Sequence, residues 1–215
     1  SPGSEAVILD IDGIPITVTI CEDIWIEGGT VEQLTITNSA RIVLNISASP
    51  FHAGKLKTRQ SVVAGFARRT GTFVCYNNLV GGQDELVFDG GSMVANPRGD
   101  IIARAQRFEE DLLITDIEID RTDEPTGGHQ PGTTRRIALK PLRTKSDIKA
   151  SPTLAPELDS IEEVYQALVL GTRDYTLKNG FEKVVVGLSG GVDSSVTVAI
   201  AVAGLGSENV IGVTM

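Results

Sequence analysis

The sequence predicts an α/β chain in two units, a strand-rich layered unit followed by the opening of a parallel-sheet unit. Three observations carry this. Short apolar runs alternate with a helical pattern over the first 120 residues, a turn-former-rich stretch without clear periodicity follows, and near the end a buried-type strand runs into a glycine and hydroxyl turn that opens a helix.

Strands are expected at 6–9 and 14–20, joined through Asp12-Gly13, a favoured hairpin pair. Strands at 42–46 and 73–76 come next. Between them, 58–70 carries Val62, Val63, Phe66 and Ala67 at helical spacing, with Gly71 where a C-terminal cap belongs. Further strands are expected at 86–88, 92–95, 101–104 and 112–117. Over 121–158 turn formers dominate, and Pro141, Pro152 and Pro156 interrupt any regular element. That stretch reads as a linker between units at 1–120 and 159–215; a long ordered excursion over one unit's surface is the alternative.

Ser160-Ile161-Glu162-Glu163 has the form of a capping box, and Ile161, Val164, Tyr165, Leu168, Thr172 and Tyr175 lie on one helical stripe. Asn179-Gly180 ends that helix. A strand at 184–188, the turn, a helix over about 195–203 and a strand at 210–214 then make one βαβ unit. Its turn lies at a strand's carboxyl end, where open parallel sheets bind ligands.

Hydrophobic residues make up 41% of the 215, enough for a sizeable core. A net charge of −9 with scattered Lys and Arg excludes general nucleic-acid binding. The two cysteines, Cys21 and Cys75, each sit in an apolar run, which argues against a disulfide-stapled secreted scaffold and for a reducing cytoplasm. No run approaches the ~18 apolar residues that span a bilayer, so no membrane partner is expected. A start without Met and a stop at Met215 inside an apolar run read as an internal fragment of something longer.

The turn Gly187-Leu188-Ser189-Gly190-Gly191-Val192-Asp193-Ser194-Ser195 is suited to phosphates. Adjacent glycines let the main chain approach closely, amide N–H groups and the positive end of a helix face the anion, and three serine hydroxyls can donate further bonds. No Lys follows as in the Walker pattern, and G-x-G-x-x-G spacing is absent. Tight packing of strand on helix is the plainer alternative. The Ser-Gly-Gly-Val-Asp-Ser run resembles the pyrophosphate loop of the ATP pyrophosphatase superfamily, whose members activate a carboxyl or carbonyl oxygen as an adenylate.

Cys21 ends an alternating strand and precedes Glu22-Asp23-Ile24-Trp25, a placement that suits a nucleophile, although an isolated cysteine is more often an inert small hydrophobe. The run Thr19-Ile20-Cys21-Glu22-Asp23-Ile24-Trp25 resembles the nucleophile segment of the nitrilase, or carbon-nitrogen hydrolase, superfamily in its glutamine amidotransferase branch. Asn45-Ile46-Ser47-Ala48-Ser49-Pro50-Phe51-His52-Ala53-Gly54-Lys55, then Tyr76-Asn77-Asn78-Leu79-Val80-Gly81-Gly82 and Phe88-Asp89-Gly90-Gly91-Ser92, resemble the second half of that domain in order. From Tyr165 onward the chain resembles the opening of an NAD synthetase domain. The combination resembles the glutamine-dependent NAD synthetase family.

The resemblance implies the C-terminal part of a nitrilase-like α-β-β-α sandwich, then the first βαβ unit of an adenine nucleotide α-hydrolase-like, Rossmann-like domain. It implies Cys21 as the nucleophile of a Glu-Lys-Cys triad whose other members precede this chain, so that Glu22 is not the base. It implies Ser49 and Lys55 as contacts to L-glutamine, and Gly187 through Ser195 with Met215 as contacts to ATP. Asp193 is the implied contact to Mg2+ on the pyrophosphate. The implied reaction amidates the adenylated carboxylate of deamido-NAD with ammonia from glutamine, in a cytoplasmic homo-oligomer. Another pyrophosphate-loop amidoligase and a noncatalytic nucleotide-binding fragment are the alternatives, and these 215 residues alone are expected to be inactive. Cys75 is expected in the core.

Overall fold

A computed structural model describes residues 6–119, 134–140, 150 and 153–214 of the chain. Strands β1 (Ala6–Ile11) and β2 (Ile14–Ile20) form the predicted hairpin, with Ile11 opposite Ile14. Asp12 (φ +57°) and Gly13 (φ +83°) supply the two left-handed residues that such a two-residue turn requires. The helix α1 (Thr30–Thr37), β3 (Ile42–Ser47), the helix α2 (Lys55–Thr70) and β4 (Phe73–Asn78) follow. Then come the hairpin β5 (Val80–Gln83) and β6 (Leu86–Asp89), β7 (Met93–Ala95) and β8 (Ile101–Arg104).

One seven-stranded sheet has the order β8-β7-β4-β3-β2-β1-β9. Its centre, β2-β3-β4, is parallel, and β7 and β8 add antiparallel strands at one side. The last strand, β9 (Thr134–Leu139), lies within the stretch expected as linker and pairs in parallel with β1. Arg104 at the end of β8 is engaged in the same way, with its N–H donating to Thr153 O and its carbonyl accepting from Ala155 N. Parts of 121–158 are therefore ordered on the first unit; 120–133, 141–149 and 151–152 lie outside the described residues. Residues 112–117 form no strand. The outer edges they would join are occupied, β1 by β9 and β8 at Arg104 by 153–155.

One face of the sheet meets α2 in a core of Ile24, Val43, Leu56, Val63, Phe66, Val74, Tyr76 and Met93. Gly71 (φ +66°) ends α2 as the sequence predicts. The helix α1 escaped prediction because its run after Gly28-Gly29, rich in β-branched Thr, Val and Ile, has a weak helical signature.

The long helix α3 (Ser160–Lys178) is capped by Asp159, whose carboxylate accepts from the N–H groups of Ile161 and Glu162. Ser160 is not the cap, and Glu163 turns away from its own helix to reach the first unit. The predicted apolar stripe is not the buried side either: Ile161 is 81% exposed, and Leu168 and Tyr175 are also exposed. Glu163, Ala167, Leu170 and Thr176 are buried instead. Ala167 and Leu170 pack with Phe51, Val80, Val87, Phe108 and Leu158 over the β5–β6 hairpin.

Glycines permit this approach: a Cβ on Gly82 would come within 3.0 Å of Asp174 Cβ, and one on Gly171 within 3.1 Å of Val87. The final elements, β10 (Val184–Leu188), α4 (Val192–Leu205) and β11 (Val210–Thr214), form the expected parallel βαβ unit. α4 begins three residues earlier than expected, with Gly191 as its N-cap.

Candidate functional site

Alternation along a strand puts 43, 45 and 47 on one face of β3 and 74, 76 and 78 on the same face of β4. The amino-terminal positions are apolar, Val43 beside Val74. Toward the carboxyl ends the register pairs Asn45 with Tyr76 and Ser47 with Asn78, and Thr19 of β2 lies beside Asn45. All five polar side chains are buried. The core thus becomes a polar floor where the three parallel strands end.

Cys21 stands at that end, opening a tight 3-10 turn over Cys21–Ile24. Its φ of +46° is in the left-handed region, which a non-glycine residue keeps only when its surroundings hold it there. Asn45 Nδ2 donates to the Cys21 carbonyl at 3.3 Å and to Thr19 Oγ1 at 2.9 Å. The Asp23 carboxylate accepts from Ile20 N–H at 2.7 Å. Glu22 is exposed, and its carbonyl accepts from Trp25 N–H.

Cys21 borders an open cavity of about 370 Å³ lined by Ile20, Ile46, Ser47, Ala48, Asn77 and Leu79. Ser47 Oγ donates toward Cys21 Sγ at 3.5 Å, and Tyr76 OH donates to Ser47 Oγ at 3.2 Å. Burial holds the Tyr76 phenol above its ordinary range, against the bond to Ser47 and the positive Arg59, which pull it down. Cys75 is half-buried, and burial pushes its thiol up, as suits a structural cysteine.

Ser49 and Lys55 do not line this cavity; they connect to it through Asn78 and Trp25. Ser49 is buried, with its N–H donating to Asn78 Oδ1 at 2.9 Å, and Asn78 in turn accepts from Tyr76 OH. Lys55 Nζ sits 4.6 Å from the centre of the Trp25 ring, on the turn that carries Cys21.

Sequence reading missed the groups that fix this arrangement. Arg59 donates through Nε to Ser49 Oγ at 3.2 Å and through Nη2 to Ser49 O at 2.8 Å. Arg59 pairs with Asp89 at 2.7 Å, Asp89 with Arg107 at 2.9 Å, and Arg107 with Glu163 at 2.9 Å. Every side chain in that chain of alternating charge is more than nine-tenths buried. Glu163 Oε1 also accepts from Gly54 N–H at 2.6 Å. In the sequence nothing joins these four: Arg59, Asp89 and Arg107 are far apart within the first unit, and Glu163 reads as part of a capping box of its own helix.

The second site is made of backbone. Gly190 takes φ +81° between β10 and α4, and a Cβ there would touch nothing, so conformation rather than space calls for glycine. The hydroxyls of Ser194 and Ser195 donate to Gly191 O at 3.1 and 2.9 Å, and Ser189 and Ser194 hydroxyls lie 3.4 Å apart. Asp193 is exposed in the first turn of α4, beside its positive end. Met215 lies outside the described residues. Among the described residues no group of three or more His, Cys, Asp or Glu could hold a metal, and no helix is long and apolar enough to cross a membrane.

Residues 1–124, more than half of the chain, match the carbon-nitrogen hydrolase family. The chain belongs to that family. Residues 164–215 match a second family, NAD synthase. The chain is 41% identical over 232 residues to a glutamine-dependent NAD(+) synthetase of Aquifex aeolicus, covering 99% of this chain and 38% of that protein. A protein of the same name from Thermotoga maritima is 40% identical over 222 residues, again 38% of its length. The solved glutamine-dependent NAD+ synthetase of Acinetobacter baumannii, in complex with ADP, superposes with a TM-score of 0.76 at 35% identity over 100% of this chain and 36% of that one. The chain thus spans little more than a third of the length of these relatives.

Proposed function

We propose that this carbon-nitrogen hydrolase chain works in a glutamine-dependent, ATP-consuming synthesis of NAD, with Cys21 releasing ammonia and the Ser189–Gly191 turn holding ATP. One observation carries the reading: a single chain combines a left-handed cysteine at the ends of parallel strands with an anion-ready glycine and serine turn at the start of a helix. The names of its relatives, two glutamine-dependent NAD(+) synthetases among them, agree with that pairing.

At the first site the Cys21 sulfur attacks the amide carbon of glutamine, the C–N bond breaks, and ammonia leaves. Water then cleaves the thioester to glutamate and frees the thiol. Ser49 and Lys55 are the proposed contacts to the glutamine molecule. At the second site a carboxylate oxygen of deamido-NAD attacks the α-phosphorus of ATP, and pyrophosphate leaves. Ammonia then attacks the acyl carbon, and AMP leaves with its oxygen.

In the turn, the N–H groups at 189–191 and the positive end of α4 are the groups to receive the pyrophosphate, with Ser189, Ser194 and Ser195 adding hydroxyls and Met215 the adenine side. A magnesium ion held chiefly by phosphates needs only one or two protein carboxylates, and Asp193 meets that requirement. The ion would neutralise charge on the phosphates. Two unpaired thiols, Cys21 and Cys75, agree with a reducing, cytoplasmic setting.

The test is Cys21→Ala in the full gene product, assayed for NAD formation with glutamine or with ammonium as nitrogen source. Glutamine should no longer support turnover while ammonium does. Equal loss with both nitrogen sources would make Cys21 a structural residue.

A further inference from the structure

We propose that Glu163 is a positioning residue for the thiol site: it sets the 49–55 segment, and with it Ser49 and Lys55, in the arrangement that receives glutamine. The inference rests on the reading of Cys21 as a glutaminase nucleophile with Ser49 and Lys55 as its glutamine contacts.

Glu163 sits in the first turn of α3, a place where an acid commonly serves its own helix. Here Asp159 caps that helix, and the Glu163 carboxylate, 8% exposed, is spent elsewhere. Its two oxygens take different partners. Oε1 accepts from Gly54 N–H, and Gly54 (φ +79°) is the N-cap of α2, a helix with no acidic residue in its own first turn. Glu163 thus places a negative group, from a distant part of the chain, at the positive end of a 16-residue helix whose first residue is Lys55.

Oε2 pairs with Arg107, and the alternation of charge continues through Asp89 and Arg59 to the hydroxyl and carbonyl of Ser49. Both arms of one carboxylate therefore converge on the same short segment, once at each end.

The residues between the ends are tied to the same surface. Phe51 N–H donates to Val87 O at 2.7 Å, and its ring meets Phe108 edge-on at 5.5 Å. The Arg107 guanidinium lies 4.9 Å from the Phe108 ring centre. Without Glu163, Arg107 keeps only Asp89, which must then serve two guanidinium groups while one positive charge stays buried without an anion. Relief comes by moving Arg107, and with it the chain that ends on Ser49. The groups around the Gly190 turn take no part.

The experiment compares Glu163→Ala and Glu163→Gln with the parent in the full gene product, measuring KM and kcat for glutamine and, separately, the ammonium-supported rate. Gln keeps an oxygen for Gly54 N–H but presents a neutral group to Arg107, which separates the two arms. For Glu163→Ala the KM for glutamine should rise at least about tenfold, a free-energy change near 1.4 kcal/mol, with the ammonium-supported rate within about twofold of the parent. Glu163→Gln should fall between, and it decides the matter if Glu163→Ala does not fold.

An unchanged KM for glutamine in folded Glu163→Gln and Glu163→Ala overturns the proposal. A fall of the ammonium-supported rate in step with the glutamine rate does so too, because it marks a general structural loss. Cys21→Ala is run alongside: if it still uses glutamine, the nucleophile reading fails and takes this proposal with it. If it loses glutamine use while the Glu163 variants keep the parent KM, the positioning role alone falls.

Discussion

Around Cys21 the determining groups are side chains, buried and bonded to one another across four strands and two helices, whereas around Gly190 they are main-chain amides and exposed hydroxyls bonded within one turn. On the proposed reading, a thiol that must meet one amide carbon needs its neighbours fixed to fractions of an ångström, which a packed polar floor supplies. On the same reading, a phosphate group is held by the geometry of the backbone itself, so the proposed second site needs little support from elsewhere. The difference teaches that damage far from Cys21 should reach it, while damage near Gly190 should stay local.

The largest effect should follow from breaking the charge chain. Asp89 neutralises two buried guanidinium groups, and Asp89→Ala leaves Arg59 buried without an anion and Arg107 with Glu163 alone, a loss of about 3–5 kcal/mol. Hydrogen exchange should show lost protection in α2 and the β5–β6 hairpin, with β10 and α4 unchanged. Equal loss of protection in α4 would erase the contrast between the sites.

Next comes Asp174, whose Oδ2 accepts from Gly82 N–H at 2.7 Å and whose neighbour Lys178 donates to Gly82 O at 2.6 Å. Burial pushes this carboxyl up, but the Gly82 N–H bond and the nearby Arg173 and Lys178 outweigh it and hold the group below the usual carboxylate range. A depressed folded value contributes stability that is fully present above the unfolded pKa of about 3.9 and is lost as pH falls through the folded value. Asp174→Ala should cost about 1–3 kcal/mol at neutral pH, read as a lower melting temperature. The gap between variant and parent should close below about pH 4.

The smallest stability effect belongs to Gly190→Ala, about 1–2 kcal/mol for a left-handed residue with a Cβ. Calorimetry should nevertheless show Mg-ATP binding about tenfold weaker, equivalent to about 1.4 kcal/mol, with the KM for glutamine unchanged. A shift in glutamine KM from this substitution would show the sites to be less separate than their construction indicates.

The sequence carried the local parts of this architecture well. Asp12-Gly13 fixed a hairpin, Gly71 a helix end, and the Val184-to-Ser195 run a strand, turn and helix, because each depends on a few adjacent residues. Cys21 was legible as a nucleophile candidate from its place at a strand end. Its left-handed backbone was not, since the cause lies in Asn45, 24 residues on. Arg59, Asp89, Arg107 and Glu163 were invisible as a set, because a charged residue in a sequence is read as solvated until another element covers it. The apolar stripe of α3 misled for the opposite reason: periodicity reports that a helix has two faces but does not say which one meets a given neighbour, and here small and charged residues at 167, 171 and 174 fit the glycine hairpin more closely.

That two-sided helix has a consequence for how such proteins can be rearranged. The stretch that matches the second family begins at residue 164, one position after the carboxylate that grips the first unit. An exchange of modules cut at that boundary would split α3 within its first turn and leave the hairpin's glycines facing a stranger. A viable chimera has to inherit the helix from the same ancestor as the Gly81-Gly82 ribbon beneath it, so a joint that keeps this packing lies after Lys178 rather than where the two sequence families meet.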